Sequence, residues 1–188
     1  MAGTGDIDLT ISGTIRAGAC VPALASGGVV DYGQIATAAL SDTEYTSLGR
    51  KTIGLQISCP ASAQWGLRAL DQRPGTVTDP RSHRFGLGQS SGENIGYYGV
   101  NIGKVVVDGA AGINLVTRDK VRWDDRQFFY NDAALINSFA VSGSSVPLPS
   151  TNSVAELSVD TYINPTSGLT VTNDVPLDGL VTLELMYY

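Results

Sequence analysis

The chain has 188 residues, the size of one domain, and its composition favours strands over helices. It contains 22 glycines, 17 serines and 16 threonines but only 3 lysines and 4 glutamates, so good helix formers are scarce. A net charge of −6 argues against a nucleic-acid binder, and a hydrophobic content of 43% argues against a disordered chain.

The N-terminal sequence from Met1 to Asp6 has neither the positively charged region nor the apolar region of a secretory signal. The chain is therefore either cytosolic or the exported form of a protein whose signal has been removed. No run of eighteen apolar residues occurs, so we expect no membrane-spanning helix.

Apolar and polar side chains alternate from the first residues onward, with the period of two that predicts strands. The first apolar set consists of Ile7, Leu9 and Ile11. Residues 36–48 favour a short helical turn, and a strand is predicted over 53–59, where Pro60 is expected to end it. The inward face of that strand consists of Ile53, Leu55, Ile57 and Cys59.

The two cysteines, Cys20 and Cys59, are too few for a zinc site and lie far in sequence from the only histidine, His83. We therefore expect no metal or other cofactor. One disulfide in an oxidising compartment is the simplest interpretation, and two buried free thiols are the alternative. A bridge enclosing about 40 residues would stabilise the fold by about 4 kcal/mol.

The second half of the chain continues the alternation. Short strands are predicted at 95–101, 103–107, 113–117, 120–124 and 134–141, a surface loop at 143–153, and a longer strand at 155–163. In the last strand, one side consists of Val181, Leu183, Leu185 and Tyr187. Short strands separated by turn signals such as Asp108-Gly109 predict a single all-β domain, an antiparallel sandwich or barrel.

Several of these segments together resemble the subunits of chaperone–usher fimbriae. Gly13 is followed seven residues later by Cys20, as in the first-strand motif of such subunits, and Tyr187 supplies the penultimate aromatic residue of the last strand. The other similar segments are 29–35, 53–59, 85–88 and 95–98. Within this group, the chain is most similar to a fimbrial-like bacterial domain family whose function is not well assigned.

The resemblance implies an immunoglobulin-like, pilin-type β-sandwich that lacks its final strand and so has an apolar groove between unpaired backbone edges. Residues 1–12 would then be an N-terminal donor-strand extension and 13–188 the sandwich domain. A periplasmic chaperone fills the groove first, and the extension of the next subunit replaces it at the outer-membrane usher. Ile7, Leu9 and Ile11 are the expected donor residues, and the expected C-terminal assembly strand contains Val181, Leu183, Leu185 and Tyr187.

The function that follows from this resemblance is a non-enzymatic structural subunit of a bacterial pilus. It is exported, passes through the periplasm, and joins a polymer of neighbouring subunits on the cell surface. The chain is longer than a typical major pilin, mostly through residues 70–150, which leaves room for a minor or tip position.

Two alternative functions use the same fold. The first is a tip adhesin that binds a host glycan by stacking sugars on aromatic side chains, for which the candidates are Trp65, Trp123, Tyr97, Tyr98, Phe128, Phe129 and Tyr130. The second is a self-complemented monomeric surface domain, in which the first apolar set belongs to an ordinary edge strand of its own sandwich.

Two further patterns suggest chemistry that the rest of the sequence does not support. Residues 88–92 match the G-x-S-x-G nucleophile elbow, but the triad histidine should follow the serine, and His83 precedes it. Asp108, Asp124 and Asp125 lack the spacing of a calcium loop and indicate solvated turns. We therefore expect no catalytic residues.

Overall fold

The computed structural model describes residues 18–171 and 173–188, which form an all-β fold, as the composition predicts. This part of the chain has twelve strands, three 3-10 turns and no α-helix, and hence no helix long and apolar enough to cross a membrane. The turns are Ala25–Gly28, Thr37–Ala39 and Thr166–Gly168. The strands are β1 Val21–Leu24, β2 Thr46–Ala63, β3 Trp65–Asp71, β4 Arg84–Gly86, β5 Gln89–Ser90, β6 Glu93–Asn94, β7 Gly96–Val107, β8 Ala110–Thr117, β9 Asp124–Asp125, β10 Ile136–Val141, β11 Ser150–Ile163 and β12 Val181–Tyr187.

Ten of these strands form one antiparallel sheet, whose main path has the order β1-β2-β11-β7-β8-β10-β3-β12. β4 is added beside β7 and β9 beside β8, while β5 and β6 form a separate hairpin. The sheet folds over on itself because β2 continues through Gln64 into β3, and because β8 pairs first with β7 and then with β10. Its two layers form a sandwich that is nearly closed as a barrel.

The core lies between the two layers and follows the predicted alternation. In β2, the side chains of Ile53, Leu55, Ile57 and Cys59 are buried, while the residues between them are exposed. In β11, the buried residues are Ser150 at its start and then Ser153, Ala155, Leu157, Val159, Thr161 and Ile163 in alternation. The sequence pattern is thus confirmed for both long strands.

The turn between β7 and β8 forms at the predicted Asp108-Gly109 pair. Both residues have positive φ angles, 48° and 85°, which a two-residue hairpin turn of this kind requires. The Asp108 carboxylate accepts hydrogen bonds from Thr151 and Asn152 at the start of β11. These bonds lower the pKa of Asp108, with the Asn152 amide contributing most.

The structure corrects the prediction that Pro60 ends its strand, because β2 continues to Ala63. The register of the neighbouring strand shifts at this point: Asn152 pairs with Ser58, while Ser150 pairs with Ala63. The four residues between Ser58 and Ala63 form an irregularity at which a proline without an N–H is tolerated.

Other predicted boundaries also change. Of the predicted strand 120–124, residues 120–123 are a turn and only Asp124 is in a strand, because the Asp119 carboxylate accepts hydrogen bonds from the amides of Val121 and Arg122 and holds that turn. The predicted strands 95–101 and 103–107 are one strand, β7, and β11 begins at Ser150, inside the predicted loop 143–153. Residues 29–35 are not assigned to a strand. The predicted short helical turn is present at Thr37–Ala39.

Candidate functional site: an open groove between the sandwich edges

An open apolar groove of about 1250 Å³ runs along the gap between the two edges of the sandwich. One wall is β1 together with the chain that follows it to Thr37, and the other wall is β12 together with residues 173–180 before it. The floor is made of inward side chains of β2, β7 and β11 together with Phe129, and it includes Ile53, Leu55, Tyr98, Val100, Leu157, Val159 and Ile163.

One end of the groove is closed by the predicted disulfide between Cys20 and Cys59, which the structure confirms. The amide of Cys20 also donates a hydrogen bond to the Tyr187 hydroxyl, which links the start of β1 to the end of β12. We call this end, with Cys20, Cys59 and Tyr187, the disulfide pole. We call the opposite end, formed by residues 31–45, 164–171 and 173–180, the open pole. β1 starts and β12 ends at the disulfide pole, so the two edges run antiparallel.

The β12 wall has a strand partner on one side only. Its residues pair with β3, from Val181 opposite Asp71 to Tyr187 opposite Trp65. In β3 the inward-facing Leu67 is fully buried, with 0% of its surface exposed. The inward side chains of β12 are only half-buried: Val181, Leu183 and Leu185. The difference arises because no described strand pairs with the other edge of β12.

The opposite wall is an extended segment held at its centre by one tyrosine. The Tyr32 hydroxyl donates hydrogen bonds to the carbonyl oxygens of Gly49 and Val159, at 3.3 and 3.2 Å. Burial raises the pKa of this phenol, so it stays a neutral donor. The Asp31 carboxylate accepts a bond from the Gly33 amide at 2.7 Å and shapes the next turn. Among the described residues, no strand pairs with 29–36.

The lining of the groove is mainly apolar. Its described lining residues include no lysine, arginine or histidine. The acidic lining residues are Asp31 and Asp174. Asp178 belongs to the same segment without lining the groove, and it is paired with Arg73 at 2.7 Å, which lowers the pKa of its carboxyl group. On the floor, burial raises the pKa of Tyr98. Unpaired backbone edges beside apolar pockets are the features that bind an added strand.

The structure brings together the expected C-terminal assembly residues. Val181 and Leu183 line the groove, Leu185 packs against the core beside them, and Tyr187 closes the disulfide pole. Tyr187 is nonetheless 46% exposed, because only its hydroxyl reaches across to β1. The predicted donor residues Ile7, Leu9 and Ile11 lie outside the described residues, and their placement stays a prediction.

The wall at the open pole was not predicted from the sequence. Leu169, Val171, Val175 and Leu177 line the groove there, although they belong to an irregular connection between β11 and β12. The sequence does contain a sign of this wall: these four residues have odd numbers, and they continue the same period of two as the inward residues of β12. Ile35 on the opposite wall had no such signal.

The other patterns noted in the sequence have structural roles. Residues 88–92 belong to the β5–β6 hairpin, whose turn residues Ser91 and Gly92 have positive φ angles, so no strand-to-helix elbow forms. Of the candidate sugar-stacking residues, four are core: Trp65, Tyr97, Tyr98 and Phe129. Two others pack against rings of this chain: Phe128 against His83, and Trp123 against Tyr188.

By sequence, the chain is similar to a protein family and to two relatives whose descriptions assign no activity. A family described as "Protein of unknown function (DUF1120)" matches residues 9–84. The chain is 24% identical to "Uncharacterized protein YhcF" of Escherichia coli (strain K12) over 223 aligned positions, which cover 96% of this chain and 90% of the relative. It is 26% identical to "Protein GltF" of the same organism over 224 positions, covering 97% and 88%. The unassigned function of these relatives agrees with the coarser part of the predicted resemblance.

Proposed function

We propose that this protein is a structural subunit of a bacterial surface pilus and joins its neighbour through its N-terminal extension. The observation that carries the proposal is the apolar groove between the unpaired edge of β12 and the 29–36 segment. A strand inserted there would complete the sheet and cover side chains that are half-buried without it. The disulfide is in keeping with export into an oxidising compartment.

The extension has the chemistry that the groove selects. Ile7, Leu9 and Ile11 share one parity, so in a strand all three point to one face and span about 13 Å. β12, with seven residues, offers an edge of about 23 Å. Burying three such side chains contributes about 5–9 kcal/mol before the cost of ordering the segment. A periplasmic chaperone would cover the same groove until the next subunit arrives.

The direction of the inserted strand relative to β12 distinguishes two occupants of the groove, the extension of a neighbouring subunit and the extension of the same chain. A neighbour's extension that lies antiparallel to β12 runs from the disulfide pole to the open pole of the subunit that accepts it. The neighbour's own domain therefore lies beyond the open pole of that acceptor. The chain's own extension enters β1 at the disulfide pole, through Gly18. To fill its own groove it would have to reverse and run parallel to β12. A contact between unlike poles does not close on itself, so it propagates into a fibre.

The first test is assembly of the purified chain. We expect ladders that resist SDS, that disappear when residues 1–12 are deleted, and that Leu9→Asp abolishes because it places a charge in an apolar groove. Thr10→Asp is the matched control, since its side chain has the opposite parity, and it should assemble as the wild type does. Equal ladder yields from the wild-type chain and Leu9→Asp would overturn the donor role.

The second test is the direction of insertion. In the antiparallel arrangement Ile7 lies toward the disulfide-pole end of β12, so Ile7→Cys combined with Leu185→Cys should form an intermolecular disulfide. The combination of Ile11→Cys with Leu185→Cys is the control, because it favours a bond only in the parallel, self-complemented arrangement. An intramolecular bond in the control pair, in a chain that stays monomeric, would contradict the pilus proposal.

A further inference from the structure

Apart from the end of β12 with Tyr187, the disulfide pole is assembled from three chain segments that contain no charged side chain. The strand register brings them together, because Ser58 pairs with Val21 on one side and with Asn152 on the other. Residues 18–30, 52–67 and 141–155 contain no Asp, Glu, Lys, Arg or His. The carboxylate beside them, on Asp108, is occupied by three hydrogen bonds from Thr151 and Asn152, at 3.1, 2.8 and 2.7 Å.

This neutral pole presents apolar side chains to the outside. Their exposed fractions are 62% for Val21, 41% for Val141, 42% for Val146 and 62% for Leu148. The loop that carries the last two is held in place. Pro147 between them is buried, and its carbonyl accepts a hydrogen bond from the Gln64 side chain at 2.9 Å. The Ser144 hydroxyl donates to the carbonyl of Val146 at 2.6 Å. The loop therefore holds Val146 and Leu148 at the surface.

We infer that the disulfide pole is a second contact surface between copies of this chain, and that its occupant is the open pole of the neighbouring subunit. This inference rests on the proposed function. If Ile11 lies in a neighbour's groove, seven residue steps separate it from Gly18, and they span at most about 25 Å. The donor's disulfide pole is therefore tethered close to the acceptor's open pole.

The acceptor's open pole has side chains that fit this surface. It exposes Tyr45, Val171 and Leu180, with exposed fractions of 37, 37 and 49%. It also carries acidic side chains, including Asp42, Glu44 and Asp174, all exposed. A neutral pole buries apolar area against these groups without adding a like charge, whereas an acidic pole would be repelled.

The test compares the same substitution at two exposed apolar residues, one on the disulfide pole and one elsewhere on the surface. Leu148→Asp puts a negative charge on the disulfide pole. Val121→Asp puts the same charge on the β8–β9 turn, where Val121 is 80% exposed. We expect the first variant to assemble at least tenfold more slowly than the wild type and the second to match it. Thermal unfolding of both variants should match that of the wild type, because both side chains are on the surface.

The outcomes separate this inference from the proposed function. A wild-type chain without SDS-resistant ladders would overturn the proposed function, and the pole contact with it. If the wild-type chain and Leu148→Asp form ladders at equal rates, only the pole contact is overturned. A photo-crosslinker at position 148 should link to residues 31–45, 164–171 or 173–180 of another subunit. Links to another disulfide pole, or no link within formed ladders, would also overturn the contact.

Discussion

Replacing Cys20 and Cys59 together by alanine should remove the constraint that holds β1 against β2 at the closed end of the groove. The cysteines are 39 residues apart in sequence. Loop-closure entropy for a ring of that size amounts to about 4 kcal/mol of unfolding free energy at 25 °C. For a chain of this length, 1 kcal/mol corresponds to about 2–4 °C, so the melting temperature should fall by about 8–16 °C.

Differential scanning calorimetry with and without a reducing agent measures this effect. Reduction of the wild-type chain should produce a shift similar to that of the double variant, and reduction of the double variant should change nothing. Amide hydrogen exchange should become faster in β1, because Cys20 directly precedes this strand and its disulfide holds the start of the strand in place. The amides of β7 and β11 should stay protected. A fall of less than about 3 °C in the double variant would refute the argument from loop closure.

Three other changes test single contacts. Asp108→Asn keeps the left-handed turn but loses the charge that the β11 amides favour, so the melting temperature should fall by about 2–4 °C at neutral pH. Because folding lowers the pKa of Asp108, its contribution is complete above the ordinary value of 3.8 and is lost as the pH falls from there through the lowered folded pKa, so a difference between wild type and variant that did not shrink as the pH fell below 3.8 would contradict this origin. Tyr187→Phe removes the acceptor for the Cys20 amide and should cost about 1 kcal/mol in urea unfolding, and an unchanged midpoint would show that the bond contributes nothing. Gly96→Ala would place a methyl group against the carbonyl oxygen of Tyr162 and should cost about 3 kcal/mol, whereas Gly54→Ala, with its nearest contact at 3.7 Å, should be tolerated; similar unfolding curves for the two would argue against the close packing of β7 on β11.

The strands could be predicted where one face of the strand is buried and the other exposed. Ile53 to Cys59 and Ala155 to Ile163 alternate in sequence because each strand has one side in the core, and the structure buries that side. The prediction failed where a side chain, rather than burial, sets the backbone. Asp119 holds residues 120–123 in a turn through hydrogen bonds that apolar periodicity does not report.

The candidate site was predicted in part. The apolar parity of Val181, Leu183 and Leu185 and the two cysteines were visible in the sequence. The wall made by Leu169, Val175 and Leu177 was not recognised, because their period of two lies in an irregular connection, where no strand was predicted. Residues 29–35 resemble a short strand of fimbrial subunits in sequence, but no strand of the described residues pairs with them, and they line the edge of the groove instead.

By itself the sequence determined an all-β domain, the pair of cysteines and the side of each long strand that faces the core, because these properties depend on local alternation. Only the tertiary structure decided that β1 and β12 face each other without pairing and that three uncharged segments meet at one pole. Both features depend on strand register and on how the sheet folds over. Those are set by contacts between residues more than a hundred positions apart, such as Cys20 and Tyr187, whose proximity no local pattern encodes.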